Sequence, residues 1–161
     1  MRTKTPNGTV PIPRMSLPTI TSDVYRTMVT FTQAAEEKLD PVVAELVKIR
    51  ASQMNGCAFC IDMHTKNARA AGESERRLSA LPAWRETPLF TDRERAALAL
   101  TEAVTFVASE RVSDEVYEAA ARQFNETELA HLLWTIAAIN AWNRIGVSTG
   151  MMPGCYEPVA R

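Results

Sequence analysis

Two cysteines and a histidine crowd into one short stretch, ELVKIRASQMNGCAFCIDMHTKNARAAG, residues 45–72. Cys57 and Cys60 form a C-x-x-C pair, and His64, one of only two histidines, follows. A thiol reacts as its thiolate, and an ordinary pKa near 8.5 leaves little of that form at neutral pH. The positive end of a helix dipole favours the thiolate, and an adjacent imidazole can take its proton. Cysteines three apart on a helix also fall within the roughly 4.4–6.8 Å Cα separation of a disulfide. The pattern therefore suits a nucleophilic sulfur, a second sulfur that resolves it, and a base.

Two helices have to position these groups. Asn55-Gly56 is a turn signal, so a helix starting near Cys57 and ending at Gly72 follows the break. Positions i, i+3 and i+7 share one helical face, which lines up Cys57, Cys60 and His64. The preceding helix starts at Asp40-Pro41, an N-cap followed by proline at the first helical position, and runs to about Met54. Its apolar face takes Val42, Val43, Leu46, Val47 and Ile49, with Glu45 beside it. If the two helices pack, Glu45 orients or protonates His64 or a thiol.

Other readings of the same residues stand beside this one. C-x2-C-x3-H offers three zinc ligands, but no second C-x-x-C or H-x-H supplies a fourth. Both cysteines could instead be inert small hydrophobes. His131 falls in an apolar helix and reads as a core histidine. Lys48, Arg50, Lys66 and Arg69 are expected on solvated faces, and Trp84, Trp134 and Trp142 as packing residues. Cys155 reads as a bystander near the C-terminus.

The remaining chain predicts an all-α fold of six to seven helices. Residues 1–20 carry Pro6, Pro11, Pro13 and Pro18 and read as an extended arm rather than a helix. Residues 21–161 form one helical domain. The first helix covers about Ser22 to Lys38, and Ser74 caps a short helix stopped by Pro82. Thr91 with Glu94 makes a capping box for a helix to about Ala108. Ser113 starts a helix to about Phe124, and Asn125 with Glu128 resembles a second capping box. The last helix, about Glu126 to Val147, is apolar nearly all round, as expected of a helix buried in the fold or in an oligomer interface. No segment shows sustained period-two alternation.

Composition excludes several functions. At 161 residues, 46% hydrophobic and 23% charged, the chain is long enough for a real core. A net charge of −1 gives no electrostatic case for nucleic acid or an anionic membrane. The N-terminal stretch lacks the apolar core of a secretory signal. An odd count of three cysteines fits a reducing compartment, so a cytoplasmic location is expected.

The sequence resembles the alkylhydroperoxidase AhpD-like branch of the carboxymuconolactone decarboxylase family. The resemblance rests on Glu45, on Arg50-Ala51-Ser52-Gln53 and on Asn55-Gly56-Cys57-x-x-Cys60-x-x-x-His64. It extends to Glu94-Arg95-Ala96-Ala97-Leu98-Ala99, Thr101-Glu102-Ala103 and Ile139-Asn140-Ala141-Trp142-Asn143-Arg144, so it covers roughly residues 35–150. It implies a helical fold assembling as homotrimers or homohexamers, and a peroxidase or disulfide reductase running on Cys57 and Cys60. It also implies a Glu45–His64 proton relay, an external dithiol donor of thioredoxin or lipoyl type, and no bound cofactor or metal. Phe59 stands where well-known members carry a second histidine. The resemblance gives the peroxide-attacking role to Cys60 and the resolving role to Cys57, whereas the helix dipole alone favours Cys57 as the more acidic thiol. A decarboxylase or lactone-processing enzyme and a non-enzymatic thiol sensor are the competing classes.

Overall fold

The computed structural model of the protein describes residues 2–5 and 8–158. Met1, Pro6, Asn7 and residues 159–161, at the edges of the expected arm and domain, lie outside the described residues. The domain is all-α, with eight helices among the described residues. These are α1 (Leu17–Ile20), α2 (Ser22–Glu36), α3 (Pro41–Asn55), α4 (Ala58–Ala70), α5 (Glu75–Ala80), α6 (Asp92–Thr105), α7 (Asp114–Gln123) and α8 (Glu126–Thr149).

Ahead of them, β1 (Arg2–Thr5) and β2 (Gly8–Pro11) pair antiparallel in a register that sets Arg2 opposite Pro11. Two four-residue strands are too short for an alternating pattern to stand out, and Pro11 is tolerated at a strand end. Helix α1 departs from the expected arm. Pro18 lies in its first turn, where a missing N–H is harmless, so the proline is compatible with the helix. The segment after β2 is tied to the far end of the chain, because Arg14 N–H donates to the Thr149 carbonyl at 2.7 Å.

Helix α3 is the axis of the domain, packing against α4, α6 and α8. The Asp40 carboxylate caps it by accepting from the Val42 and Val43 amides, and Gly56 closes it at φ 67°, where a side chain would be strained. Its neighbours surround it, so its residues feed three apolar clusters. Val43 and Val47 join Leu100, Leu132 and Ile136. Leu46 and Ile49 join Leu81, Trp84 and Leu98. Ala51 joins Cys57, Cys60 and Ile139. Each fully buried Leu or Ile contributes about 1.5–3 kcal/mol.

Both expected capping boxes form, at Thr91/Glu94 and Asn125/Glu128. Helix α6 stops at Thr105 instead of about Ala108, because Phe106 and Val107 leave the core and are exposed. Helix α8 runs two residues past Val147 and ends on Gly150 at φ 70°. It buries Leu132, Ile136, Ile139, Asn143 and Gly146 while Trp134, Ile145 and Val147 stay exposed. Trp134 is thus not a core residue, unlike the buried Trp84. Its ring meets Phe31 edge-on. No helix is long and apolar enough to cross a membrane among the described residues.

Candidate functional site

The turn at Asn55–Gly56 folds α4 back against α3 and sets Cys57 as the N-cap of α4. Cys57 makes no side-chain cap bond, so its sulfur turns inward instead. Cys60, one turn later, faces the same way. The two sulfurs lie 2.8 Å apart and are free thiols, each residue only 2–3% exposed. A small approach closes them to the roughly 2.05 Å of a disulfide. Phe59, at the position where a histidine was noted as missing, packs against this cluster together with Trp142.

Helix α8 forms the wall over the sulfurs. Gly146 faces them so closely that a Cβ built there would lie 2.8 Å from Cys57 Sγ and 3.9 Å from Cys60 Sγ. One helical turn earlier on the same face is Asn143, fully buried. Its Nδ2 donates to Ser52 Oγ at 2.9 Å, and its Oδ1 accepts from Asn55 Nδ2 at 2.9 Å. Asn55 Nδ2 also reaches Asn140 Oδ1 at 2.9 Å.

One turn further along the buried face of α4, Glu45 and His64 meet. His64 Nδ1 lies 2.9 Å from Glu45 Oε2. Burial holds the His64 pKa below its ordinary value, outweighing the Glu45 hydrogen bond, and the nearby Lys48 charge acts in the same direction as burial. Burial also opposes ionisation of Glu45, but hydrogen bonds from His64 and Lys48 reverse this and leave its pKa lowered. The pair is therefore a neutral imidazole donating Nδ1–H to a carboxylate, not an ion pair. That tautomer leaves Nε2 with a free lone pair. Among the described residues no hydrogen bond joins His64 to either sulfur.

Lys48 corrects an expectation. It lies on no solvated face but is 4% exposed, with Nζ on Glu45 Oε1 at 2.9 Å and on Glu36 Oε2. The surrounding of α3 on every side explains this, since no face of that helix is left to solvent at its middle. Burial works against the ammonium, yet the two carboxylates keep its pKa raised. Arg50 and Lys66 are also half-buried, on Glu102 and on the Tyr156 carbonyl, whereas Arg69 is exposed. A cavity of about 950 Å³, lined by Glu36, Glu45, Lys48, Asn67 and Tyr156 among others, opens beside the relay rather than beside the sulfurs.

The two thiols shift each other in opposite directions. A hydrogen bond from Cys60 outweighs burial and lowers the Cys57 thiol from 9.0 to about 7. The same bond, reinforced by burial, pushes Cys60 up. Cys57, at the helix N-terminus, is thus the more acidic thiol, in line with the dipole argument. His131 Nδ1–H donates to the Ala35 carbonyl at 3.0 Å, and Cys155 is an exposed free thiol. Reading the sequence singled out Cys57, Cys60, His64 and Glu45 but missed Lys48, Asn143, Ser52 and Gly146. Lys48 carried a signal, being three residues from Glu45 on one helix.

Comparison with known proteins gives a consistent picture. The sequence model of the carboxymuconolactone decarboxylase family matches residues 22–103. The uncharacterized protein YdfG of Bacillus subtilis is 45% identical over 115 residues, 71% of this chain and 78% of YdfG. A crystal structure from Agrobacterium tumefaciens superposes with a TM-score of 0.87 at 32% identity, covering 90% of this chain and 100% of that one. That protein is of unknown function, with a suggested role as the antioxidant defence protein AhpD. An uncharacterized peroxidase-related protein from Ralstonia eutropha, an alkylhydroperoxidase AhpD core, superposes at a TM-score of 0.73, 20% identity, and 83% and 72% coverage, a likeness of fold.

Proposed function

The chain belongs to the carboxymuconolactone decarboxylase family, and from that premise and the site we propose that it is an AhpD-like thiol peroxidase working in antioxidant defence. The observation that carries this reading is the pair of buried sulfurs 2.8 Å apart on the helix that also presents His64 to Glu45.

In the proposed cycle the proton between the sulfurs moves to Cys57, and the charge appears on Cys60. Cys60 lies one helical turn from His64 and is less tightly walled by Gly146 than Cys57 is. The neutral His64, held by Glu45, takes the pair's remaining proton through Nε2. The Cys60 thiolate attacks the terminal oxygen of a hydroperoxide. The O–O bond breaks, the leaving alkoxide takes the proton from His64 as an alcohol, and Cys60 becomes a sulfenic acid. Cys57, by then a thiolate, attacks the Cys60 sulfur, the S–O bond breaks and a disulfide forms, and the hydroxide released takes a proton from solvent and leaves as water. An external dithiol of thioredoxin or lipoyl type returns two electrons and two protons by exchange and leaves as its own disulfide. Phe59, half-buried, packs against the cluster that holds the sulfurs. A homotrimer or homohexamer in the cytoplasm is the proposed setting.

The test is hydroperoxide consumption with a panel of dithiol donors, run on wild type and on Cys60→Ser. Multiple turnovers with at least one donor, lost by a factor of about 10³ or more in Cys60→Ser, are expected. A lactone decarboxylase activity that survives Cys60→Ser would overturn the reading. So would peptide mapping that finds Cys57 and Cys60 both free after peroxide treatment.

A further inference from the structure

We propose that Lys48 is a positioning residue of the relay: it supplies the positive charge that the Glu45 carboxylate needs, and so leaves His64 neutral with Nε2 open to take a proton. The inference deepens the peroxidase reading and rests on it, because there His64 has to serve as a base.

The geometry gives each oxygen of Glu45 its own partner. Oε1 lies 2.9 Å from Lys48 Nζ, and Oε2 lies 2.9 Å from His64 Nδ1. Glu45 and Lys48 are three residues apart, so α3 presents them on one face. Glu36, the last residue of α2, holds the ammonium from the other side and sets it between two carboxylates. With Nδ1 engaged by Oε2, the nitrogen across the ring is the one left for proton transfer.

The division of charge follows from ordinary acidities. A carboxylate only 13% exposed is costly without a cation beside it. Two groups touch Glu45 that could carry one. An ammonium has an ordinary pKa near 10.4 and an imidazole one near 6.5, so at neutral pH the charge falls to Lys48. His64 then has to give Glu45 no more than a neutral N–H. Without Lys48 the same carboxylate draws a proton on to His64, and an imidazolium has no lone pair at Nε2. The depressed His64 pKa, to which the Lys48 charge contributes after burial, agrees with this division.

Charged groups on the other packed elements are engaged elsewhere. Glu37 of α2 binds Lys38, and Asp62 and Lys66 of α4 bind each other. Cys57 and Cys60 face one another. Glu102 of α6 holds Arg50 and Arg85, Arg144 of α8 donates to Asn140, and His131 of α8 to the Ala35 carbonyl. Tyr156 after α8 donates to Asn67. Among the described residues, Lys48 and His64 are the two groups that form an ion pair with Glu45.

The test reads the imidazole, not turnover. Heteronuclear NMR of the histidine rings separates imidazolium from each neutral tautomer, and is followed against pH on the reduced protein with no hydroperoxide present. The chain has two histidines, and His131→Gln assigns the signals. Wild type is expected to show a neutral His64 protonated on Nδ1 at neutral pH, and an imidazolium there overturns the proposal. Lys48→Gln keeps hydrogen-bonding groups and removes the charge. Its His64 inflection is expected to rise by about one pH unit or more, about tenfold in proton affinity. Lys48→Arg restores the cation and is expected to stay with wild type. Glu36→Gln combined with Lys48→Gln removes one charge of each sign, serves where Lys48→Gln alone does not fold, and is expected to show a smaller rise. A folded Lys48→Gln with an unmoved inflection overturns the proposal, as does an unmoved double variant where the single one is unfolded. So does a Lys48→Arg that moves as far as Lys48→Gln. Absent peroxidase turnover with a shifted His64 would instead sink the functional reading and leave this one standing.

Discussion

Helix α4 borders two buried polar regions that handle charge in opposite ways. On the relay side, charge meets charge: Lys48 sits between Glu36 and Glu45, and His64 stays neutral against Glu45. On the α8 side the buried polar groups are neutral amides: Asn55 Nδ2 bonds Asn140 and Asn143, and Asn143 bonds Ser52. The difference suits what each region has to survive. A disulfide carries no charge, so a lysine facing the sulfurs would be stranded at each oxidation, and an unpaired buried charge is expensive. A carboxamide tolerates both states. On the relay side Lys48 keeps its partners, so ion pairs are affordable there.

The largest effect expected from breaking this contrast is on the relay side. Lys48→Met removes the buried cation from between the part-buried carboxylates of Glu36 and Glu45 and is expected to destabilise the fold by about 2–3 kcal/mol, below the about 3–5 kcal/mol of a fully buried pair. Thermal or urea unfolding measures it, and a loss under 1 kcal/mol would mean that the relay side is wetter than its burial indicates.

The pH dependence of stability distinguishes the regions next. Cys57 is depressed from 9.0 to about 7, so between those values the unfolded chain holds more protons than the folded one, and stability of the reduced protein rises with pH. Above about 9 the sign reverses, because folded Cys60 keeps its proton while an unfolded thiol loses it. This bell spans at most about 2–3 kcal/mol and disappears in the disulfide form. His64 is depressed, so stability falls as pH drops below 6.5, in either redox state, and the depressed Glu45 adds to the fall only below about 4.5. Urea titrations of the reduced and oxidised protein from pH 5 to 10 check both limbs. Identical curves for the two forms would remove the thiolate from the account.

Gly146→Ala probes the sulfur side most gently. Overpacking a fitted site costs about 1–3 kcal/mol, and alanine recovers about 0.5–1 kcal/mol in a helix interior. A net loss of about 1 kcal/mol is expected by urea unfolding, with slower disulfide formation on peroxide treatment. Unchanged stability and unchanged oxidation would mean that α8 does not press on Cys57.

Much of this arrangement was legible in the chain. Capping signals at Asp40, Thr91 and Asn125 are local chemistry and marked their helices within a few residues. The helical spacing of Cys57, Cys60 and His64 put them together, and the guess that α3 packs on α4 brought in Glu45. What stayed hidden depends on neighbours distant in sequence. Lys48 looks like a surface residue until three helices enclose α3. Asn143 and Gly146 look unremarkable within an apolar helix, because their meaning comes from a segment more than eighty residues away. Trp134, by contrast, carries every sign of a core residue and faces outward.

The close approach of Gly146 also bears on damage. Excess peroxide carries a sulfenic acid on to sulfinic and sulfonic acids, each step adding an oxygen to the same sulfur. Cys57 has helix backbone pressed against it and no space for such bulk, while Cys60 stands further from that wall. Under the proposed peroxidase cycle, irreversible hyperoxidation is expected at Cys60, whose sulfur stands further from the α8 backbone at Gly146 than that of Cys57.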